Sequence, residues 1–311
     1  MGEPRWLAEA RRATGRWYRD AVAIVAALAA ALLFALASVL QQGEAERQPP
    51  EKALRPSLLA RLAVQPRWLA GLCFDVSGYV LQWVALTLGS LVVVQPLLVV
   101  SLLFALPIKA RLAPYRMRTW DWGGAVLTTA GLGVFLAVSR PAAGHTGVSA
   151  STWVGLLTVA SAVAGVLLLL GRRCSPRWKA MAFGTAGGVL YGATAALTKS
   201  CAHLLQQGPG ALLSSWQPYA LLVAGLVGMV VSQSAFQAGP LDASLPTLSA
   251  TDPVVSVVVG AVAFGESLRT GLAANAVEVL SFSAIVVGIF MLAHTEATKA
   301  AQARHFELAS M

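Results

Sequence analysis

The feature that most constrains this chain is a series of about nine apolar runs, each near the roughly 20 residues that a helix needs to cross a hydrocarbon core. They fall at 22–42, 67–87, 90–110, 121–139, 150–170, 181–203, 217–237, 243–264 and 272–293 of a 311-residue sequence. Such a chain cannot cover its apolar surface with polar groups. Charged residues make up 12% of it and hydrophobic ones 57%, against roughly 25% charged in soluble domains. Most soluble enzymes, a disordered segment and a nucleic-acid module are therefore excluded. Glycines and prolines inside several runs do not count against spanning helices, which tolerate both. The first run lacks the short leader and small-x-small site of a cleaved signal peptide, so it reads as a true span.

The net charge of +9 sits between the runs, where lipid headgroups and topology account for it without nucleic acid. Taking the nine spans alternately, one side collects Arg47, Lys52, Arg55, Arg61 and Arg67, then Lys109, Arg111, Arg116 and Arg118. It also collects Arg172, Arg173, Arg177, Lys179, Lys299 and Arg304. The loops of the other side hold Arg140 and Arg269. The positive-inside rule makes the first side cytoplasmic, with the C-terminus inside a plasma membrane. The leader, 1–21, opposes this with Arg5, Arg11, Arg12, Arg16 and Arg19, interleaved with Trp6, Leu7, Trp17 and Tyr18. An interfacial helix, a tenth crossing and a true start nearer Val22 all remain open. Three cysteines, Cys73, Cys174 and Cys201, make no disulfide framework, and no Cys/His spacing suggests zinc.

Self-similarity divides the chain. Leu33-Phe34-Ala35-Leu36 to Gln42 resembles Leu190-Tyr191-Gly192-Ala193 to Lys199 at an offset of 157. Gln95-Pro96 matches Asp252-Pro253, and Lys109 matches Glu266, at the same offset. Gly133-Val134-Phe135-Leu136 matches Gly288-Ile289-Phe290-Met291 at 155. The offset spans five helices, an odd number, so matched helices cross in opposite senses. The predicted fold is all-α: a polytopic membrane helix bundle of about nine transmembrane helices with an inverted-topology repeat. A four-helix repeat over 22–140 and a five-helix repeat over 150–293 follow the leader, and 294–311 forms a cytoplasmic tail.

These landmarks resemble the drug/metabolite transporter superfamily with its EamA-like repeats. Ala85-Leu86-Thr87-Leu88-Gly89-Ser90, Pro96, Lys109 and Gly123-Gly124 carry the likeness in the first copy. Gln237-Ala238-Gly239-Pro240, Pro253, Gly265-Glu266 and Gly288 carry it in the second. Within that superfamily the nine-helix layout looks like NIPA-type magnesium transporters, with Trp68-Leu69-Ala70-Gly71 and Gln95-Pro96-Leu97 at that family's Trp-Ala-Gly and Thr-Pro-Leu positions. Its Gly-Glu falls on Gly78-Tyr79, so that carboxylate is absent, and an Asn of the family falls on Gln82. The resemblance implies a secondary transporter that moves a small organic solute with protons by alternating access. A magnesium or divalent-cation transporter is the alternative.

A charge at the bilayer centre costs on the order of 3 kcal/mol, so each one there needs a reason. Asp252 stands near mid-helix before Pro253, where a break would free carbonyls for a ligand. Gln95 with Pro96 offers the same break from the other direction. Asp75, Gly78, Tyr79 and Gln82 share one helical face, and Asp75 is a candidate proton carrier. Gln233 and Gln237, one turn apart, are candidates for the same cavity. Lys199 and Glu278, in the outer halves of their helices, fit a counter-ion pair, although snorkelling explains Lys199 equally well. Trp83, Trp153, Trp178 and Trp216 read as interfacial belt residues. No nucleotide-binding loop, Gly-x-Ser-x-Gly elbow or His-Glu-x-x-His motif occurs, so neither an ATP-driven pump nor an enzyme is expected. No cofactor is implied. The partners expected are the lipid bilayer, a small solute and protons; a homodimer is allowed but not required.

Overall fold

The computed structural model describes residues 5–88, 97–112, 119–139, 148–265 and 276–292, and among these all regular structure is helical. Helix α1 (Arg5–Ala45) leads through a 3-10 turn (Pro50–Lys52) to the short α2 (Pro56–Leu62). Next come α3 (Pro66–Leu88), α4 (Ser101–Leu112), α5 (Thr119–Ser139) and α6 (Ala150–Gly171). The chain continues as α7 (Pro176–Gln206), α8 (Pro209–Ser214), α9 (Gln217–Ala238), α10 (Leu241–Phe264) and α11 (Ala276–Leu292). Prolines open α2, α3, α7 and α8, where a missing N–H costs nothing because the first turn has no intrahelical acceptor for it. Ser149 caps α6 by accepting from the Thr152 N–H at 3.1 Å. Gly265 ends α10 in the left-handed conformation, φ 62°, which suits glycine.

Six helices are long and apolar enough to cross a membrane: residues Ala21–Ala45 of α1, Thr119–Val138 of α5, and all of α6, α7, α9 and α10. The protein is therefore a multi-pass helical membrane protein. The expected spans at 67–87, 90–110 and 272–293 correspond to helices that do not meet that standard within the described residues. Helix α3 has 23 residues but is not among the six, α4 has 12 residues, and α11 is shorter than the full spans. The leader is not set off from the first span. From Arg5 to Ala45 the chain is one 41-residue helix, about 60 Å long at 1.5 Å per residue.

Small residues determine how the helices cross. In α7, Gly184, Gly188 and Gly192 lie four apart and face α10; a Cβ on them would come within 2.4 Å of Thr247 Oγ1, 2.6 Å of Thr251 Cβ and 2.6 Å of Val255 Cβ. Helices without a hydrophobic drive to associate meet in this way, backbone against backbone. Gly71 and Gly78 of α3 receive Gln41 and Phe34 of α1. Gly124 of α5 and Gly288 of α11 meet reciprocally, each facing the other's carbonyl oxygen. Helix α7 is central, packed on α6, α9 and α10, while α1 packs chiefly on α3 and α4. Leu58 and Leu62 of α2 insert into a core with Leu102, Leu106, Leu241 and Leu245, joining early and late parts of the chain. Val154, Val159, Val163, Val166, Leu169 and Leu170 of α6 stay exposed, as expected where lipid is the solvent. Trp83, Trp178 and Trp216 are exposed too, but Trp153 is buried edge-on against Trp216.

One expectation fails. Pro253 does not break its helix: α10 runs unbroken from Leu241 to Phe264 through both Pro246 and Pro253. Each proline removes only the N–H that would serve the carbonyl four residues earlier, and neighbouring helices in a membrane bundle hold the backbone in place. Gln95 and Pro96 lie outside the described residues.

Candidate functional site

Asp75 sits midway along α3 and Asp252 midway along α10. With Tyr79 and Tyr191 they form one cluster: each tyrosine is within electrostatic range of both aspartates, and the two tyrosines of each other. Local packing explains the convergence. Gly78 has no side chain, so the Phe34 ring seats against α3, and Tyr79 stands edge-on to that ring at 5.0 Å. Across the bundle, Gly188 and Gly192 bring α7 onto the backbone at Asp252, while the ring of the adjacent Tyr191 rests on Gly228 of α9 within electrostatic range of the carboxylate. The Tyr191 hydroxyl shares a 3.1 Å hydrogen bond with Ser232 of α9, and Ser256 donates to Asp252 Oδ1 at 3.3 Å. Tyr79 remains 64% exposed.

A second set of bonds leads away from Asp75. The Trp68 indole N–H donates to Gln233 Oε1 at 3.1 Å. Gln233 Nε2 donates to Gln41 Oε1 at 2.6 Å, and Gln41 Nε2 donates to Asp75 Oδ2 at 2.5 Å. All three donor side chains are almost fully buried. Each amide uses its oxygen as acceptor and its nitrogen as donor, so the chain has a direction and ends on the carboxylate. Ser232 and Gln233, adjacent on α9, thus bind Tyr191 on one side and the Asp75 chain on the other.

The remaining expected residues do not all join. Gln237 turns away from Gln233 and donates to the carbonyls of Gln48 and Pro49 at 3.0 and 2.7 Å, anchoring the turn after α1. Gln82 is half-buried on the face of Asp75 and Gly78. Lys199 lies eight residues past Tyr191, about 12 Å further along α7, with its ammonium 4.2 Å over the Phe264 ring. Glu278 is half-buried near the start of α11. Gln41, Trp68, Tyr191, Ser232 and Ser256 were not expected in the site. The available signal for Gln41 was its position seven residues after Phe34, on the face that α3 covers. Among the described residues no group of three or more His, Cys, Asp or Glu side chains comes together as a metal site.

The chain is 36% identical to an uncharacterized protein of Corynebacterium glutamicum over 249 residues, 80% of this chain and 86% of that one. The chain belongs to that protein's family. A match of 249 residues in 311 takes in α3 through α9 wherever it begins, and therefore Asp75, Tyr79, Tyr191 and Gln233. No family model matches the chain, and no solved structure matches it.

Proposed function

We propose that the protein is a secondary transporter of the drug/metabolite type, moving a small organic solute across the plasma membrane together with protons. The observation that carries this reading is that Asp75, from the first part of the chain, and Asp252, from the last, both lie within electrostatic range of Tyr79 and Tyr191 at mid-helix depth. Two carboxylates in a membrane interior are costly to keep, and a proton or a charged solute would relieve that cost. Tyrosine hydroxyls and glutamine amides among them both donate and accept, which suits an organic solute better than a bare cation wanting oxygen acceptors alone.

The packing order supports an inverted repeat. Helix α1 packs on α3 and α4 as α7 packs on α9 and α10, which is the pairing that the sequence offset of 157 implies. Transport would then rock one repeat against the other around the carboxylates. The basic stretches of sequence after α1, α4 and α6 favour, by the positive-inside rule, a cytoplasmic side that includes the C-terminus. The absence of a nucleotide-binding loop from the sequence points to an ion gradient as the driving force.

The test begins with thermal unfolding of the purified protein against a panel of organic solutes and magnesium chloride, since a bound ligand raises the unfolding temperature. The solute that stabilises is then followed into proteoliposomes with and without a pH gradient. Gradient-driven accumulation is expected, and Asp252→Asn should abolish it while inserting normally. Undiminished flux in that variant would refute the site, and stabilisation by magnesium alone would replace the solute with a divalent cation.

A further inference from the structure

The hydrogen bonds around α9 join two parts of the molecule that alternating access would have to separate. At its C-terminal end, α9 holds the first third of the chain through five hydrogen bonds. Gln233 bonds Gln41 and Trp68, Ser234 accepts from the Leu54 N–H at 2.9 Å, and Gln237 donates to the carbonyls of Gln48 and Pro49. All lie toward the end of the bundle where α1 finishes and α3 begins. The turn held there is strained: Leu54 has φ 60°, the one positive φ at a non-glycine residue among the described residues. A branched side chain disfavours that conformation, so the turn persists because something fixes it. The Ser234 bond does so, together with packing of Leu54 beside Ala164, Ala186 and Val231.

We propose that the Trp68–Gln233–Gln41–Asp75 chain and the Leu54–Ser234 clasp form the gate on this face of the transport path, with Gln41 and Gln233 as positioning residues for Asp75. The proposal rests on the transport reading and adds its moving part. With the chain intact, Asp75 is held by Gln41 and this face is shut. When Asp75 turns to a solute or proton it gives up the Gln41 amide. Gln41 then loses its reason to face Gln233, and the strain at Leu54 favours release of the clasp. The gate therefore reports the occupancy of the carboxylate cluster to the surface about two turns away.

The test needs no identified solute. In the full-length protein with Cys73, Cys174 and Cys201 replaced by serine, Ser38→Cys places a thiol one turn behind Gln41. Its reaction with a membrane-impermeant maleimide is followed separately from each side of sealed vesicles. Gln233→Leu should speed labelling at least threefold from the face of the α1–α2 turn and leave the other side unchanged. Asp75→Ala, which removes the final acceptor, should act in the same direction. Met229→Leu, one turn earlier on α9, should label like the parent. A disulfide between Leu54→Cys and Ser234→Cys, formed before labelling, should return Gln233→Leu to the parent rate. Unchanged labelling in Gln233→Leu, faster labelling from both sides, or no recovery on closing the disulfide overturns the gate. If instead no solute is ever transported but the labelling behaves as described, the gate stands and the transport reading falls.

Discussion

Arg177 shows how much a single side chain can hold at a helix end. It is mostly buried at the start of α7, donates to Asp242 Oδ2 of α10 at 3.3 Å, and donates also to the Leu292 carbonyl at the end of α11. Removing one member of a buried pair leaves the other charge desolvated, at a cost of roughly 3–5 kcal/mol. Arg47, by contrast, is 61% exposed, and its partner Glu44 keeps Arg67 at 4.0 Å when it goes; such pairs are worth about 0–1 kcal/mol. Arg177→Ala should therefore lower the unfolding temperature in detergent by about 6 °C or more, and Arg47→Ala by a few degrees at most. Equal shifts would show that Arg177 is solvated. The same principle decided which residues were legible. Asp75 and Asp252 stood out because a carboxylate in an apolar run demands a reason. Gln41 and Trp68 did not, because a neutral amide at the end of a run and an indole near a helix start are ordinary there. Only the facing helix, which no local pattern names, gives them their role.

At the scale of helices, glycine spacing governs the contacts. Gly184→Ala or Gly188→Ala would drive a methyl into the α10 backbone or its threonines, with overpacking costs of about 1–3 kcal/mol. Gly165 of α6 has nothing within 4 Å of an added Cβ, so Gly165→Ala should be neutral or stabilise by up to about 1 kcal/mol. The three variants, ranked by unfolding temperature, check this directly; a Gly165→Ala that falls as far as Gly188→Ala would mean lipid or a partner fills that face. The helices themselves were legible from apolar length, a property local to each run. The course of α10 was not. A proline removes one donor, and whether the helix then breaks depends on how firmly its neighbours hold it. For α10, Gly184, Gly188 and Gly192 of α7 press directly on the segment around Pro246 and Pro253, and that pairing is visible only when both helices are placed.

For the whole molecule, the decisive quantity is which ends of the helices share a side. Helix α7 alone, 31 residues, separates the turn at Arg172 and Arg173 from the α8 turn. The first is strongly basic, and between the short α8 and its neighbours the second has no Lys or Arg. The orientation proposed from the positive-inside rule puts the first turn in the cytoplasm and the second outside. The protein carries its own reporter, because Cys174 is exposed in the basic turn. With Cys73 and Cys201 replaced by serine, an impermeant maleimide should leave Cys174 unreacted in intact cells and modify it in inside-out vesicles. Leu213→Cys, at a side chain 65% exposed in α8, should give the opposite result in a background without Cys174. If both positions react from one side, α7 does not cross. The two proposed repeats would then run in the same sense, and the inverted relation between the matched helices, α3 with α9 and α4 with α10, would be lost. The opposite reactivities are what the proposed inverted repeat requires, an arrangement in which one central site can face either side in turn.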